Sequence, residues 1–354
     1  MRTQRSDEEL AVGLALLAAD HVSIRGFYHK RTEFGNIEAA FLHAVPPDKH
    51  RALLDDARQA IKDAHDLGVA VVAEDDAWYP ESLRSLRDAP PYLFTLGDVS
   101  LLERPAVAIV GTRSATPYGL RITRTLSSAL ARAGVVVVSG MARGVDAAAH
   151  EAALDAGGGT IAVLGTGVDV PYPKYNKPLH SRLAQSGLIV SELLCGTRAF
   201  PGSFPRRNRL IAALGRAVIV TEAPVKSGAL ITSSVALDIG RDVAVVPGNI
   251  DTPASAGSNE LLLHGATPIL NVAQALSLGG VTAPADTAAP SRNATELGDD
   301  AQLLWRALSA SGPLSADALA RAGGLEARRA GPALAALEIA GWVEIDHAGV
   351  VFAT

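Results

Sequence analysis

Read from the N-terminus, apolar residues first recur at helical spacing. Residues 9–19 and the stretch 48–67, opened by Pro46-Pro47, both carry apolar positions three and four apart and predict helices. Residues 69–73 form a short β-branched run, after which Tyr79-Pro80, Pro90-Pro91 and Gly97-Asp98 punctuate what reads as a loop-rich connector. From Pro105 the pattern changes to regular alternation. Short, wholly apolar runs predict strands at 106–110, 135–139, 160–164, 188–191, 217–221 and 243–246. Between them, amphipathic runs predict helices at 119–133, 145–156, 176–185, 209–214 and 229–239, with 259–264 and 272–276 closing the unit. Strands that are apolar throughout are buried on both faces, so the pattern implies a mostly parallel, Rossmann-like α/β sheet with helices on each side. Such sheets bind ligands at the carboxyl ends of their strands.

Residues 279–298 are rich in Gly, Ala, Pro and Thr without periodicity and read as a linker. Beyond them come a helix at 301–310, a short segment after Pro313-Leu314-Ser315, a helix at 327–340 and a hairpin from 341–345 and 349–352, the order of a winged helix. The expected domains are therefore a helical segment over 1–75, the Rossmann-like domain over 76–278, the linker, and a winged helix over 299–354.

Composition adds three points. A 48% hydrophobic fraction in 354 residues supports a large core, and the 5% aromatic content makes that core one of Ala, Val, Leu and Ile. No long apolar run lacks charges, the N-terminus has no signal-peptide pattern, and Cys195 stands alone, so a cytoplasmic protein with no membrane span, disulfide or thiolate metal site is expected. The net charge of −5 conceals an asymmetry. Residues 1–104 hold 12 Lys and Arg against 18 Asp and Glu, residues 105–275 hold 15 against 10, and residues 276–354 hold 5 against 9. The basic share lies where the strands alternate with helices, so partners that carry negative charge are sought there.

Every strand of that region runs into a loop of small residues and cations. The first ends in Gly111-Thr112-Arg113-Ser114-Ala115-Thr116 before a helix, an arrangement suited to an anion because the amide groups and the helix dipole favour negative charge. Arg113 adds a planar donor fork for phosphate; a tight turn bearing a solvated arginine is the alternative. The second ends in Ser139-Gly140-Met141-Ala142-Arg143-Gly144, where Asp146 could cap the next helix or orient Arg143, and where His150 reads as a structural hydrogen-bonding group. The third opens with Gly165-Thr166-Gly167, but Val170 replaces the third glycine of a dinucleotide fingerprint. This loop offers instead Tyr172, Lys174, Tyr175 and Lys177, stacking faces interleaved with cations as a single strand requires. The densest cationic spot is Arg206, Arg207, Asn208 and Arg209 at a helix start, where three arginines are unfavourable without an anion or acidic partners; an internal network with Glu192 or Glu222 is the alternative. Ser227 and Gly228 start the following helix. No nucleophile elbow, P-loop or metal-spaced His/Cys set is present in the sequence, so binding is favoured over catalysis, with no catalytic residues, metal or cofactor expected.

At these residues the sequence resembles the DprA (Smf) family, through GTRSATPYG, SGMARGVDAAAH, AVLGTGVDVPYP, FPRRNRLIAAL, SGALIT and VPGNIDTPASAGSNELL, with YPESLRSLRDAPPYLFTLGD upstream. The resemblance implies a single-stranded-DNA-binding recombination mediator of natural transformation that loads a RecA-type recombinase and dimerises through its Rossmann-like domain. It further implies a SAM- or helix-hairpin-helix-like N-terminal domain and a DNA-binding set around Arg113, Lys174 or Lys177 and Arg206–Arg209. Thr112 stands where the family often has Ser, and Leu193-Leu194-Cys195 is unusual. Two alternatives remain. One is an enzyme cleaving nucleoside monophosphates, although its P-G-G-x-G-T-x-x-E signature is broken at Pro247-Gly248-Asn249-Ile250-Asp251-Thr252. The other is a regulatory protein reading duplex DNA with its winged helix, whose expected recognition helix carries only Arg328 and Arg329 and whose segment is acidic.

Overall fold

Four helices lead the chain: α1 (Asp7–Ala18), α2 (Ile24–Phe34), α3 (Ile37–Ala44) and α4 (Pro47–Asp66). The first is started by a reciprocal box in which Ser6 and Glu9 each satisfy the other's backbone N–H. Then follow β1 (Ala70–Ala73), α5 (Glu81–Arg84) and β2 (Tyr92–Gly97). The alternating region supplies β3 (Ala106–Val110), α6 (Pro117–Arg132), β4 (Val136–Ser139), α7 (Val145–Asp155), β5 (Thr160–Val163), α8 (Lys177–Ser186) and β6 (Leu188–Ser191). It continues through α9 (Ser203–Leu214), β7 (Ala217–Val220), α10 (Gly228–Asp238), β8 (Asp242–Val245), α11 (Ala256–Leu263), β9 (Thr267–Pro268) and α12 (Val272–Leu278). The computed structural model describes residues 5–281, 297–346 and 349–353. They fall into two compact units that meet in sequence at residues 283 and 284. Most of the expected linker, 282–296, lies outside the described residues.

In the larger unit the strands form one nine-stranded sheet in the order β1-β2-β6-β5-β4-β3-β7-β8-β9. From β6 to β9 neighbours are parallel, and β2 runs antiparallel to both β6 and β1. The mostly parallel sheet read from the apolar runs is therefore present, extended by an antiparallel edge. The loop-rich connector read from Tyr79-Pro80, Pro90-Pro91 and Gly97-Asp98 is corrected: Tyr92–Gly97 is a strand inside the sheet. Pro90-Pro91 and Gly97 are breakers that bound this strand, since a proline just before a strand removes no ladder donor from its interior. Ala70–Ala73, assigned from the sequence to the helical segment, provides the edge strand beyond it.

Although the strands are apolar throughout, their two faces pack differently. Ala106, Ala108 and Val110 of β3 point to a core completed by α9 and α10, while Val107 and Ile109 point to a core with α6, α7 and α12. The N-terminal helices share a third core with the sheet: Leu14, Phe27 and Phe41 are buried with Phe94 of β2 and Ile189 of β6. Each such side chain contributes about 1.5–3 kcal/mol of burial free energy, so these helices are part of the folded body of the sheet.

The smaller unit contains α13 (Asp299–Ser311), β10 (Leu314–Ser315), α14 (Ala316–Ala322), α15 (Ala327–Ile339), β11 (Val343–Ile345) and β12 (Val350–Ala353). Its three strands pair in the order β10-β12-β11 around Leu304, Leu319, Leu337 and Val351. This is the expected winged-helix order, with Leu314–Ser315 added as a third short strand.

Candidate nucleic-acid interface

Strand order reverses direction beside β3: the chain proceeds to β4, β5 and β6 on one side, then returns to β7 and β8 on the other. The loops after β3 and β7 therefore diverge and leave a crevice, the position at which open α/β sheets bind ligands. Two adjoining hollows of about 430 and 280 Å³ occupy it. They share Arg113, Ala142, Phe204 and Arg207. A larger cavity of about 720 Å³ lies between the N-terminal helices, β2 and the segment after β6; its lining is mainly apolar, with Arg206 and Glu192 at its edge, and it shares no residue with the two hollows.

The crevice is shaped by close backbone approaches that only glycine permits. A methyl group at Gly111 would lie 2.5 Å from Val145 Cγ2 and 2.8 Å from the Glu222 carbonyl oxygen. At Gly144, whose φ is +74°, it would meet the Thr112 carbonyl oxygen at 2.4 Å. The start of the β3 loop is thus held against the β4 loop and the end of β7, where Thr112 N–H donates to the Glu222 carbonyl oxygen at 2.7 Å, before the β3 and β7 connections part. Ser139 is fully buried, its hydroxyl donating to the Ile109 carbonyl oxygen. Ser139, Gly111 and Gly144 build the frame of the crevice.

Arg207 forms its floor. The side chain is buried, with the residue only 5% exposed, and Nη1 donates to the carbonyl oxygens of Gly140, at 2.7 Å, and Val163. Gly140 has to be glycine because a methyl there would sit 2.2 Å from that same nitrogen. Among the described residues the Arg207 Nε has no hydrogen-bond partner. Burial lowers its pKa to about 10, opposed by the nearby Asp146 carboxylate and reinforced by Arg113. Asp146 in turn is pushed above the ordinary carboxylate range by burial, against the pull of Arg207. It neither caps α7 nor orients Arg143: its Oδ2 accepts from the N–H groups of Gly140 and Ala142, at 3.2 and 3.4 Å, and so ties down the β4 loop. His150 has the structural place expected of it. Its Nδ1 lies 2.7 Å from Thr160 Oγ1, whose own proton goes to the Val137 carbonyl oxygen, so Nδ1 carries hydrogen. Burial, aided by the charge of Arg207, drops its pKa to about 3.

Rings and free cations gather above this floor. Tyr172 and Phe204 lie with centroids 4.9 Å apart, and the Arg113 guanidinium stands 5.9 Å from the Phe204 centroid. Arg113, Arg143, Tyr172, Tyr175, Phe204 and Arg207 together line the smaller hollow. The larger one is lined by Thr112, Asn208, Lys226, Ser227 and Gly228, among others, with the amino end of α10 at its side. There Ser227 Oγ accepts from Ala229 N–H, and Asn208 Nδ2 donates to the Gly228 carbonyl oxygen. Lys174, in the turn before α8, and Lys177, the first residue of α8, are exposed but line neither hollow. Phe204 and Lys226 were not selected from sequence. Their signal was position, since each lies in a segment that follows a strand end.

The arginine cluster is divided, which corrects the reading of Arg206–Arg209 as one phosphate site. The helix begins at Ser203, six residues before its expected start, with Pro205 tolerated in the first turn where N–H groups lack helical partners. Arg206 and Arg209 are three apart and share a face. Both pair with the buried Glu192, Arg206 at 3.0 Å, and Arg209 also meets Asp88 at 3.1 Å. This is the internal network that the sequence left as an alternative, and it leaves Arg207 alone to face the crevice. A second correction concerns the β3–α6 turn. Its helix end is not open to an external anion: Glu222 Oε2 accepts from Thr116 N–H and its Oε1 from Thr116 Oγ1–H, each at 2.7 Å. In the smaller unit, Arg329 is paired with Asp300 and Arg328 with Glu326. Among the described residues no group of three or more His, Cys, Asp or Glu could hold a metal ion, and no helix is long and apolar enough to cross a membrane.

Comparison with known proteins gives this architecture its family. Protein Smf of Synechocystis sp. is 46% identical over 212 residues, which is 58% of this chain and 53% of that protein. The chain thus spans about half the length of that relative. The X-ray structure of DNA processing protein A from Streptococcus pneumoniae superposes with a TM-score of 0.63 at 32% identity, over 78% of this chain and 98% of that one. DNA processing protein A from Helicobacter pylori, described for its single-stranded DNA binding mode, gives a TM-score of 0.54 at 37% identity, over 59% and 94% of the respective chains. Residues 288–349 match the DprA winged helix domain. Residues 70–278, more than half of the chain, match DNA recombination-mediator protein A, and the chain belongs to that family.

Proposed function

We propose that this chain binds single-stranded DNA in the strand-end crevice and delivers it to a RecA-type recombinase, acting in the cytoplasm as a homodimer and without catalysis of its own. The observation that carries the reading is the convergence of three rings, Tyr172, Tyr175 and Phe204, with Arg113, Arg143 and Arg207 on one hollow. A base has a π-face whatever its identity, so such rings take a strand without regard to sequence, and the guanidinium groups take its phosphates. A duplex keeps its bases stacked inside and offers the rings nothing. Family membership supports the role in recombination and the recombinase as partner. For the dimer, α10 and α11 present Ile231, Leu237 and Leu263 to solvent, apolar groups suited to burial against a second copy. Lys174 and Lys177, beside the crevice, would extend the path of the strand.

Fluorescence titration with a labelled oligonucleotide, its blunt duplex and nucleoside monophosphates tests this reading. Tight binding of the single strand that weakens with salt is expected. Equal affinity for duplex, insensitivity to salt, or release of base from a monophosphate would refute it.

A further inference from the structure

In sheets of this topology, the amino end of the helix after the first parallel strand is the usual seat of a nucleotide phosphate. That position here is the amino end of α6, and the protein fills it with its own carboxylate. Glu222 lies just past the end of β7 and is 1% exposed. Its two oxygens take the N–H and the hydroxyl hydrogen of Thr116, which also caps α6 by accepting from Gly119 N–H at 3.1 Å. Position 119 is shaped around this carboxylate, because a methyl there would lie 2.6 Å from Glu222 Oε2. The two oxygens therefore do what phosphate oxygens do at such a site. The amino end of α10 differs. Among the described residues it is capped by the Ser227 hydroxyl and by no carboxylate, and it borders the hollow that holds Arg113, Lys226 and the buried Arg207, whose Nε has no hydrogen-bond partner there.

We propose that Glu222 is a built-in anion that determines specificity: it closes the α6 phosphate site, so the crevice takes phosphates only on its α10 side and rejects free nucleotides and dinucleotides. The idea rests on the reading of the crevice as a strand-binding site. It explains how a Rossmann-like fold can serve a polymer in a cell rich in soluble nucleotides. A strand spreads its contacts over several phosphates and rings, whereas a free nucleotide depends on the one site that is shut.

The test uses the full chain, with AMP, NAD and inorganic phosphate as probes in thermal-shift and competition assays against a labelled oligonucleotide. The wild type should show no shift and no displacement up to about 1 mM, a weak-binding threshold of roughly −4 kcal/mol. E222A should bind phosphate and AMP at least tenfold more tightly than the wild type. E222Q, which keeps the side chain's volume and so keeps the site filled, should bind phosphate and AMP no better than the wild type; a gain in E222Q equal to that of E222A would overturn the idea that the side chain occupies the site. Wild-type binding of AMP or NAD below that threshold overturns the proposal without any variant, and so does a folded E222A with no gain. Failure of the strand-binding reading is seen separately, as a wild type that does not bind the oligonucleotide at all.

Discussion

Replacing Arg113 with alanine is the sharpest probe of the crevice. The side chain is exposed on the β3–α6 turn, borders both hollows and stands over the Phe204 ring. A charge-assisted bond from it to phosphate contributes about 1.5–3 kcal/mol, and an exposed cation over a ring about 0.5–1 kcal/mol more, part of which is retained by the ring stacking on a base. A loss of about 1.5–3 kcal/mol follows, or roughly 10- to 150-fold in affinity. The loss should be uniform across base sequences, since the contact is with the backbone. The salt dependence gives an independent count: removing one phosphate contact should make the slope of log affinity against log salt shallower by about 0.7. Stability should change by less than about 0.5 kcal/mol, as for an exposed surface position. Titration by fluorescence anisotropy at four salt concentrations, with a thermal melt of the same sample, measures all three. An affinity within twofold of wild type would show that Arg113 is only a solvated turn residue, and an unchanged slope accompanied by a fall in melting temperature would show that it supports the turn and makes no phosphate contact.

Arg209→Ala should do the opposite. It removes a buried guanidinium shared by Glu192 and Asp88; Glu192 keeps Arg206 and Asp88 is part-exposed, so the cost should be that of lost charge-assisted hydrogen bonds, about 1.5–3 kcal/mol of stability, with affinity of the folded fraction within threefold of wild type; hydrogen exchange of the β6 amides, read beside a titration, separates the two effects. His150, with its pKa lowered from 6.5 to about 3 by burial, must stay neutral in the fold. Protonation therefore favours unfolding, and stability should fall by about 2 kcal/mol between pH 7 and pH 5. His150→Asn should flatten this slope in urea unfolding, and an equal slope in the variant would assign the acid sensitivity elsewhere. A chain ended after Leu278 should keep most single-strand affinity, because Arg328 and Arg329 of the smaller unit are already paired with carboxylates. A loss beyond a hundredfold, about 2.7 kcal/mol, measured at one salt concentration, would make the winged helix a principal DNA site.

The sequence by itself determined the sheet, the winged helix and the edge on which the site lies. Wholly apolar runs such as Ala106–Val110 separated by amphipathic ones admit few arrangements, and the strand ends carry the glycines and arginines. The same local signals misjudged Tyr92–Gly97, because prolines and a glycine that bound a strand resemble those that fill a loop. The chemistry of each cation was decided only by tertiary structure. Arg206, Arg207 and Arg209 are alike in sequence, yet the phase of a helix that starts at Ser203 turns two toward Glu192 and one into the crevice. The β3–α6 turn reads as an anion site until Glu222, more than a hundred residues later, is brought to it by the pairing of β3 with β7. A charge's role depends on what neutralises it, and for a buried charge that partner is supplied by strand order and helix phase, which act over distances the local pattern does not encode.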